Sequence, residues 1–205
     1  QRLYAKGWDC VNHTLTHPSF AATTNEAFIA YQMQTSAAWA QATDMPRGAE
    51  FYASPASSTS RLSEKVIKGL GFKLQRHARK MNTSITPFGI DNPHHVGGLG
   101  IGSNAAAAYN TCTAGVNSST TGLQTFTKIK RAFDVMEAYG DAAICWWHGL
   151  ESAADDGTGE QLTGDNLVIK VSAWSMAMAY LRQRELAGGV TVCKGMTGFY
   201  YGVNA

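Results

Sequence analysis

The sequence has few charges, and they form no block of one sign. Lys, Arg, Asp and Glu make up 16% of the 205 residues, and the formal net charge is +2. Surfaces that bind nucleic acid usually carry clustered Lys and Arg, so we expect no nucleic-acid partner. No apolar run approaches the roughly 20 residues that a membrane-spanning helix needs, which predicts that the chain has no membrane span. An uncharged glycan would not need a charged surface.

Paired cysteines are also missing. The four cysteines are widely spaced, and no C-x-x-C pair occurs among Cys10, Cys112, Cys145 and Cys193. This spacing argues against a disulfide framework and against a C-x-x-C metal or redox motif. Three of the four lie in apolar, strand-like segments, which predicts buried free thiols at Cys10, Cys145 and Cys193.

The length of the chain fits a single domain over residues 1–205 with one sizeable core. Apolar periodicity and turn residues predict helices and strands in alternation. The helices are expected over 21–44, around Leu62 to Leu70, and over 122–139 and 168–186; the strands over 49–53, from Phe72, and over 142–147 and 190–193. Such alternation predicts a β/α sheet whose site lies at the carboxyl ends of the strands.

The most informative stretch runs from Gly7 to Pro18 and contains two histidines four residues apart, His13 and His17. Two imidazoles at this spacing can bind one divalent metal ion. The zincin motif H-E-x-x-H would need a glutamate where Thr14 stands, so a metalloprotease of that type is excluded. Because Pro18 disfavours helical geometry at His17, we expect the pair where a short strand enters a loop.

Asn-His-Thr-Leu-Thr-His-Pro, from residue 12 to 18, closely resembles the second motif of the polysaccharide deacetylases, carbohydrate esterase family four. The resemblance implies that His13 and His17 bind the catalytic divalent metal, zinc in the first place, although imidazole also accepts cobalt, nickel and manganese. It also implies the family's fold, a distorted and incomplete (β/α)-barrel. A surface histidine pair without a metal is the alternative.

Two further segments resemble the same family. The strand at 49–53 and the loop after it are similar to the third motif: Phe51 and Pro55 match, whereas smaller residues replace the usual Arg and Tyr. The resemblance implies that a loop N–H, from Ala56 or a neighbour, holds the oxyanion; an ordinary strand-to-helix turn is the alternative. His148 follows a buried strand, as in the fifth motif, and would protonate the leaving group.

Aromatic side chains near these segments are candidates for the walls of an acetyl pocket. Tyr52 and Trp147 are the residues we assign to such a pocket, with core packing as the alternative for Trp146 or Trp147.

The family's first motif, a strand that ends in Asp-Asp some tens of residues before the histidine pair, is not in this sequence. In the family it supplies the general base and the third metal ligand. Asp9 matches a different position of the family pattern, Gly-x-Glu. We therefore expect a missing amino-terminal segment of the same protein to supply both groups; lost catalysis is the alternative.

The expected function is deacetylation of an acetylated polysaccharide or oligosaccharide at an extracellular, cell-envelope or virion surface. The competing hypothesis is a non-catalytic glycan-binding module of an envelope-recognition or viral fibre protein.

Overall fold

The structure is a computed structural model and describes residues 2–55, 58–77, 96–100, 125–140, 142, 144–147, 149–160 and 168–202. The chain forms two compact units: the first contains residues 1–77, 91–96 and 193–205, and the second residues 78–90 and 97–192. None of the helices in the described ranges has both the length and the apolar character needed to cross a bilayer.

Helices and strands alternate along most of the chain. In order they are α1 (Arg2–Ala5), α2 (Glu26–Ala42), β1 (Phe51–Ala53), α3 (Arg61–Gly69), β2 (Leu74–His77), β3 (Val96–Gly100), α4 (Phe126–Tyr139), β4 (Ile144–Trp146), β5 (Gly149–Glu151), β6 (Val168–Lys170), α5 (Val171–Leu186) and α6 (Met196–Tyr201).

The predicted helices are confirmed, and side-chain caps explain where three of them begin. Asn25 accepts a hydrogen bond from the N–H of Phe28 at the start of α2, and Thr125 caps α4 in the same way. Ser60 and Ser63 cap α3 reciprocally. Gly140, in the left-handed conformation, ends α4.

The structure differs from the predictions at residues 168–170 and at residues 190–193. Residues 168–170 were expected in the last long helix, but they pair with β5 as β6, and the helix begins at Val171. Residues 190–193 were expected to form a strand and form none. Val192 is 38% exposed, so this β-branched run lacks the burial that makes its strand propensity effective.

Parallel strand segments form the centre of the first unit. β1 and β2 pair in parallel, with Tyr52 opposite Gln75. Asn12 forms a parallel bridge to Tyr52 on the other side of β1: its N–H donates to the Phe51 carbonyl at 3.0 Å, and its carbonyl accepts from the Ala53 N–H at 2.9 Å. Before the histidine pair, the expected strand is thus reduced to this single bridge at Asn12, and Trp8 in the preceding segment is 44% exposed.

Each unit has its own hydrophobic core. In the first unit α2 and α3 supply half of the buried cluster, which is Phe20, Ile29, Met33, Tyr52, Ile67 and Phe72. In the second unit α4, β6 and α5 supply the cluster, which is Ile129, Ala132, Phe133, Ile169, Ala173 and Ala177. Cys10, Cys145 and Cys193 are free thiols, as predicted, but they are only partly buried, and not buried as expected.

Two carboxylates of the loop after β5 cap helices of the second unit. Asp155 accepts hydrogen bonds from the Ser172 N–H at 2.8 Å and the Ser172 hydroxyl at 2.6 Å, at the start of α5. Glu160 accepts from the Thr127 N–H at 2.9 Å, at the start of α4. The position of Asp155 satisfies N–H groups that a helix start leaves unpaired.

We expect the second unit to lose stability in acid. Hydrogen bonds from Ser172 hold the pKa of Asp155 below its ordinary value of 3.8, and the Arg184 guanidinium holds the pKa of Glu137 below 4.5. Both folded-state values are depressed, so the stabilisation is complete above the ordinary pKa values and is lost as pH falls below them through the folded-state values. Thermal unfolding measured across that range tests this, with Asp155→Asn as the control that should show a smaller acid loss. An acid loss of the same size in Asp155→Asn would contradict the assignment.

Candidate metal centre

The ring of His13 is fixed against the end of the parallel strands. Regular pairing beyond Asn12 would direct the Thr14 N–H to the Ala53 carbonyl, but Thr14 turns away with φ 68°. The imidazole takes that place instead: His13 Nδ1 lies 2.6 Å from the Ala53 oxygen. A carbonyl only accepts, so Nδ1 carries a proton, and a neutral ring in this tautomer has its lone pair on Nε2.

A histidine that ligates a metal usually donates its other ring N–H to a carbonyl or carboxylate, which fixes the tautomer and the ring orientation. His13 has this arrangement, and its side chain is exposed at the surface. The arrangement therefore fits a metal ligand that binds through Nε2.

His17 lies beside His13, as the spacing predicts. The two ring centroids are 4.9 Å apart, with an interplanar angle of 74°. Two imidazoles that share a zinc ion at the usual Zn–N distance of about 2.0–2.1 Å and a near-tetrahedral angle have centroids roughly 5 Å apart. An edge-to-face aromatic pair has a similar separation, so the distance fits a metal pair without requiring one. The tautomer of His13 is the observation that favours a metal.

Two buried amides hold the loop between the histidines. Gln32, on α2, accepts the N–H groups of Leu15 at 3.1 Å and Thr16 at 2.9 Å through Oε1, and its Nε2 donates to the Thr16 hydroxyl at 3.0 Å. Asn12 accepts the Thr14 N–H at 2.9 Å and donates to the Met33 carbonyl at 2.9 Å. Gln32 is 2% exposed and Asn12 4%. The loop is thus tied to α2 through side chains with little freedom.

The loop carries backbone strain that these amides offset. Thr14 has φ 68° and His17 φ 58°, values that residues other than glycine seldom adopt, and Thr14 is also β-branched. Each such residue costs on the order of 1–3 kcal/mol and persists where surrounding contacts determine it. The Thr14 hydroxyl accepts the His17 N–H at 3.1 Å, which ties the two strained residues together. Strain of this kind concentrates at functional sites.

Gln32 was not predicted from the sequence to be part of the site. The available signal was a polar amide on the inner side of α2, between the buried apolar residues Ile29 and Met33. A buried polar side chain normally has a hydrogen-bonding role, so this position was a candidate for a supporting residue.

No third metal ligand lies beside the pair in the part of the chain that the structure describes, because no group of three His, Cys, Asp or Glu side chains forms there. Asp9 has another role. Its side chain accepts from Arg47 Nε at 3.1 Å and from the Thr197 N–H at 2.7 Å. The ion pair with Arg47 and the hydrogen bond from Thr197 together use both carboxylate oxygens of Asp9.

The other predicted site residues are placed as follows. Pro55 is buried directly after β1, at the carboxyl end of the strand. Tyr52 is fully buried and packs against Phe72, so its position in the core does not support the expected place on a pocket wall. Trp147, in the second unit, is half-buried against Trp174 at 4.0 Å between ring centroids. Ala56, His148 and the side chain of Trp146 lie outside the described residues.

A cavity of about 330 Å³ opens next to His13. It lies between the segment from Cys10 to Leu15 and the second half of α2, where Trp39 contributes an aromatic wall. None of its lining residues is Asp, Glu, Lys or Arg, and they are Cys10, Val11, Asn12, His13, Thr14, Leu15, Ser36, Ala37, Trp39, Ala40 and Ala49. Its size and chemistry suit a small uncharged group.

Replacing Gln32 by leucine is expected to weaken zinc binding by the factor of about 10 to 100 seen when a group that supports a ligand is lost. The loop would lose the acceptor for two N–H groups. Gln32→Glu is the matched variant, because its carboxylate oxygen can accept hydrogen bonds from the same N–H groups. It should bind zinc more tightly than Gln32→Leu. Isothermal titration of both variants of the full-length protein measures the difference. Equal zinc affinities would show that Gln32 does not support the ligands.

Comparison of the chain with protein-family models, curated proteins and solved structures finds no match in any of the three. Function therefore has to be argued from the chemistry and geometry of the site.

Proposed function

We propose that this protein is a metal-dependent hydrolase that removes N- or O-linked acetyl groups from a polysaccharide. One observation carries the proposal: His13 and His17 lie side by side at a strand end, and the Ala53 carbonyl fixes His13 in the tautomer that a metal ligand needs. The motif around the pair resembles that of the polysaccharide deacetylases. The uncharged cavity next to His13 is compatible with an acetylated sugar.

His13 and His17 would hold a divalent metal, zinc in the first place, with cobalt, nickel and manganese as alternatives. A metal bound there would polarise the acetyl carbonyl and lower the pKa of a water molecule. Gln32 and Asn12 keep the loop in the conformation that brings the two rings together. A third ligand and a general base are still needed, and we propose that a preceding segment of the same protein supplies them.

The loop after β1 is the proposed source of an oxyanion donor. The Ser54 N–H donates to the Arg76 carbonyl at 2.9 Å, Pro55 has no N–H, and the Ser58 N–H donates to the Pro55 carbonyl at 2.9 Å. The N–H of Ala56 or a neighbour is the candidate that the family resemblance implies. A backbone donor does not depend on its side chain, so the small residue at 56 is compatible with the role.

His148 is the proposed general acid. An unperturbed histidine has a pKa of about 6.5, so it can carry a proton near neutral pH and deliver it to an amine or alkoxide leaving group. We assign this role from its place directly after β4 in the sequence.

The family-type distorted, incomplete (β/α)-barrel and a location at an extracellular, cell-envelope or virion surface complete the proposal. The described strands pair in parallel and alternate with helices over much of the chain, as a β/α fold requires.

Acetate release from acetylated oligosaccharides by the full-length protein tests the proposal, with and without a chelator. Release that stops with the chelator, and that is lost in His17→Ala and His148→Ala but kept in His94→Ala, would support it. His94 is the matched control because it is a histidine outside both motifs. If the protein binds the glycan and releases no acetate, it is the non-catalytic glycan-binding module instead.

A further inference from the structure

Three polar side chains of the first unit are buried together on one face of the β1 and β2 pair. Tyr52 and Gln75 lie opposite each other in the parallel register, and Ser54 follows Tyr52 by two residues. In-register neighbours and residues two apart along a strand point to the same face. Tyr52 and Gln75 are 0% exposed, and Ser54 is 1% exposed.

Four polar atoms of these side chains have no hydrogen-bond partner within the described part of the chain. They are the Tyr52 hydroxyl, the Ser54 hydroxyl, and both Oε1 and Nε2 of Gln75. The hydroxyls of Tyr52 and Ser54 are close enough for Ser54 to lower the pKa of the phenol, although neither atom has a partner at hydrogen-bonding geometry. Buried polar groups in proteins are almost always paired, with protein or with ordered water. Four unpaired atoms within one small patch therefore need a shared partner.

The three side chains of this patch contain both hydrogen-bond donors and hydrogen-bond acceptors. Burial raises the pKa of the Tyr52 phenol well above its usual range, and Ser54 and Arg76 offset only part of that rise. The phenol is thus neutral and can both donate and accept, as can the Ser54 hydroxyl, while the Gln75 amide adds an acceptor and donors. Water matches this mixture, since a buried water typically makes about three hydrogen bonds to such groups.

We infer that Tyr52, Ser54 and Gln75 enclose an internal hydration site that binds at least one ordered water molecule. All four atoms are closed to bulk solvent. A solute of the size of a sugar cannot reach them without unpacking the core, whereas water exchanges into buried polar sites of this kind. The inference does not depend on the proposed hydrolysis, because it rests on buried side chains and not on the exposed histidine pair.

A high-resolution crystal structure of the full-length protein tests the inference directly. The expected result is a water molecule within hydrogen-bonding distance of the Gln75 amide and of at least one of the two hydroxyls. If the Gln75 amide instead bonds to protein atoms, or if no water density lies beside it, the inference is overturned.

Thermal unfolding gives a second, independent test through Gln75→Met and its matched variant Gln32→Met. Gln32 is a buried amide whose partners are all protein groups, so its loss must lower Tm. If water satisfies Gln75, Gln75→Met also loses hydrogen bonds, and its Tm stays equal to or below that of the unsubstituted protein. A rise in Tm for Gln75→Met would show a dry, unpaired amide and would overturn the inference.

Discussion

Replacing His13 by asparagine is expected to remove zinc binding and acetate release while leaving the first unit folded. The Asn amide nitrogen takes the place of Nδ1 and can still donate to the Ala53 carbonyl, whose partner in the structure is Nδ1 at 2.6 Å. Asparagine has no counterpart of Nε2, so the metal loses a ligand. Because losing a group that only supports a ligand costs about 10- to 100-fold in affinity, losing the ligand itself is expected to cost more than 100-fold.

Zinc titration, acetate release and Tm, measured together on the full-length protein, check this result. His13→Gln is the complementary variant, because its amide reaches the position of Nε2 and leaves the Ala53 carbonyl without its donor. We expect His13→Gln to keep more zinc affinity than His13→Asn and to have the lower Tm of the two. If His13→Asn binds zinc as tightly as the unsubstituted protein, Nε2 is not a ligand and the metal centre lies elsewhere.

Local sequence features predicted the parts of the fold that depend on neighbouring residues. Apolar periodicity over 122–139 identified α4, because helical periodicity acts within a few residues. The predictions were wrong where contacts between residues far apart in the sequence determine the secondary structure. Residues 168–170 form β6 because β5 offers them a partner, and residues 190–193 form no strand despite their propensity.

The candidate site shows the same difference between features set by neighbouring residues and features set by distant ones. The spacing of His13 and His17 and the effect of Pro18 predicted a pair at a strand end, and in the structure the two rings lie side by side just after the bridge at Asn12. The supporting contacts were beyond sequence reasoning because they join residues far apart in the chain. The Ala53 carbonyl is 40 residues from His13, and Gln32 is 17 residues from Leu15. A one-residue change in strand register would have brought different groups to the histidines.

Replacing Asp9 by alanine is expected to destabilise the first unit by about 3–5 kcal/mol, the usual cost of breaking a buried ion pair. The Asp9 side chain is 2% exposed, and its partner Arg47 is 35% exposed, so the lower end of that range is the better expectation. Loss of the carboxylate leaves Arg47 Nε and the Thr197 N–H without their acceptor. Chemical denaturation of the full-length protein measures the change.

The matched control for Asp9 is Glu26→Ala, which removes an ion pair at the surface. Glu26 and Lys65 are 3.3 Å apart, with side chains 56% and 74% exposed, so the expected loss is under about 1 kcal/mol. Equal losses in the two variants would mean that burial does not strengthen the Asp9 pair.

Gly195→Ala separates the packing around Asp9 from its charge. A Cβ at residue 195 would overlap the Asp9 carboxylate and would lie 2.9 Å from the Asp9 Cβ, well inside van der Waals contact. The backbone of Gly195 is extended, with φ −166°, so alanine brings no conformational strain there. Any loss of stability must then come from displacement of the Asp9 side chain, and it should be smaller in an Asp9→Ala background, where only the overlap with the Cβ at residue 9 remains. Additive losses in the double variant would instead show that Gly195 and Asp9 act independently.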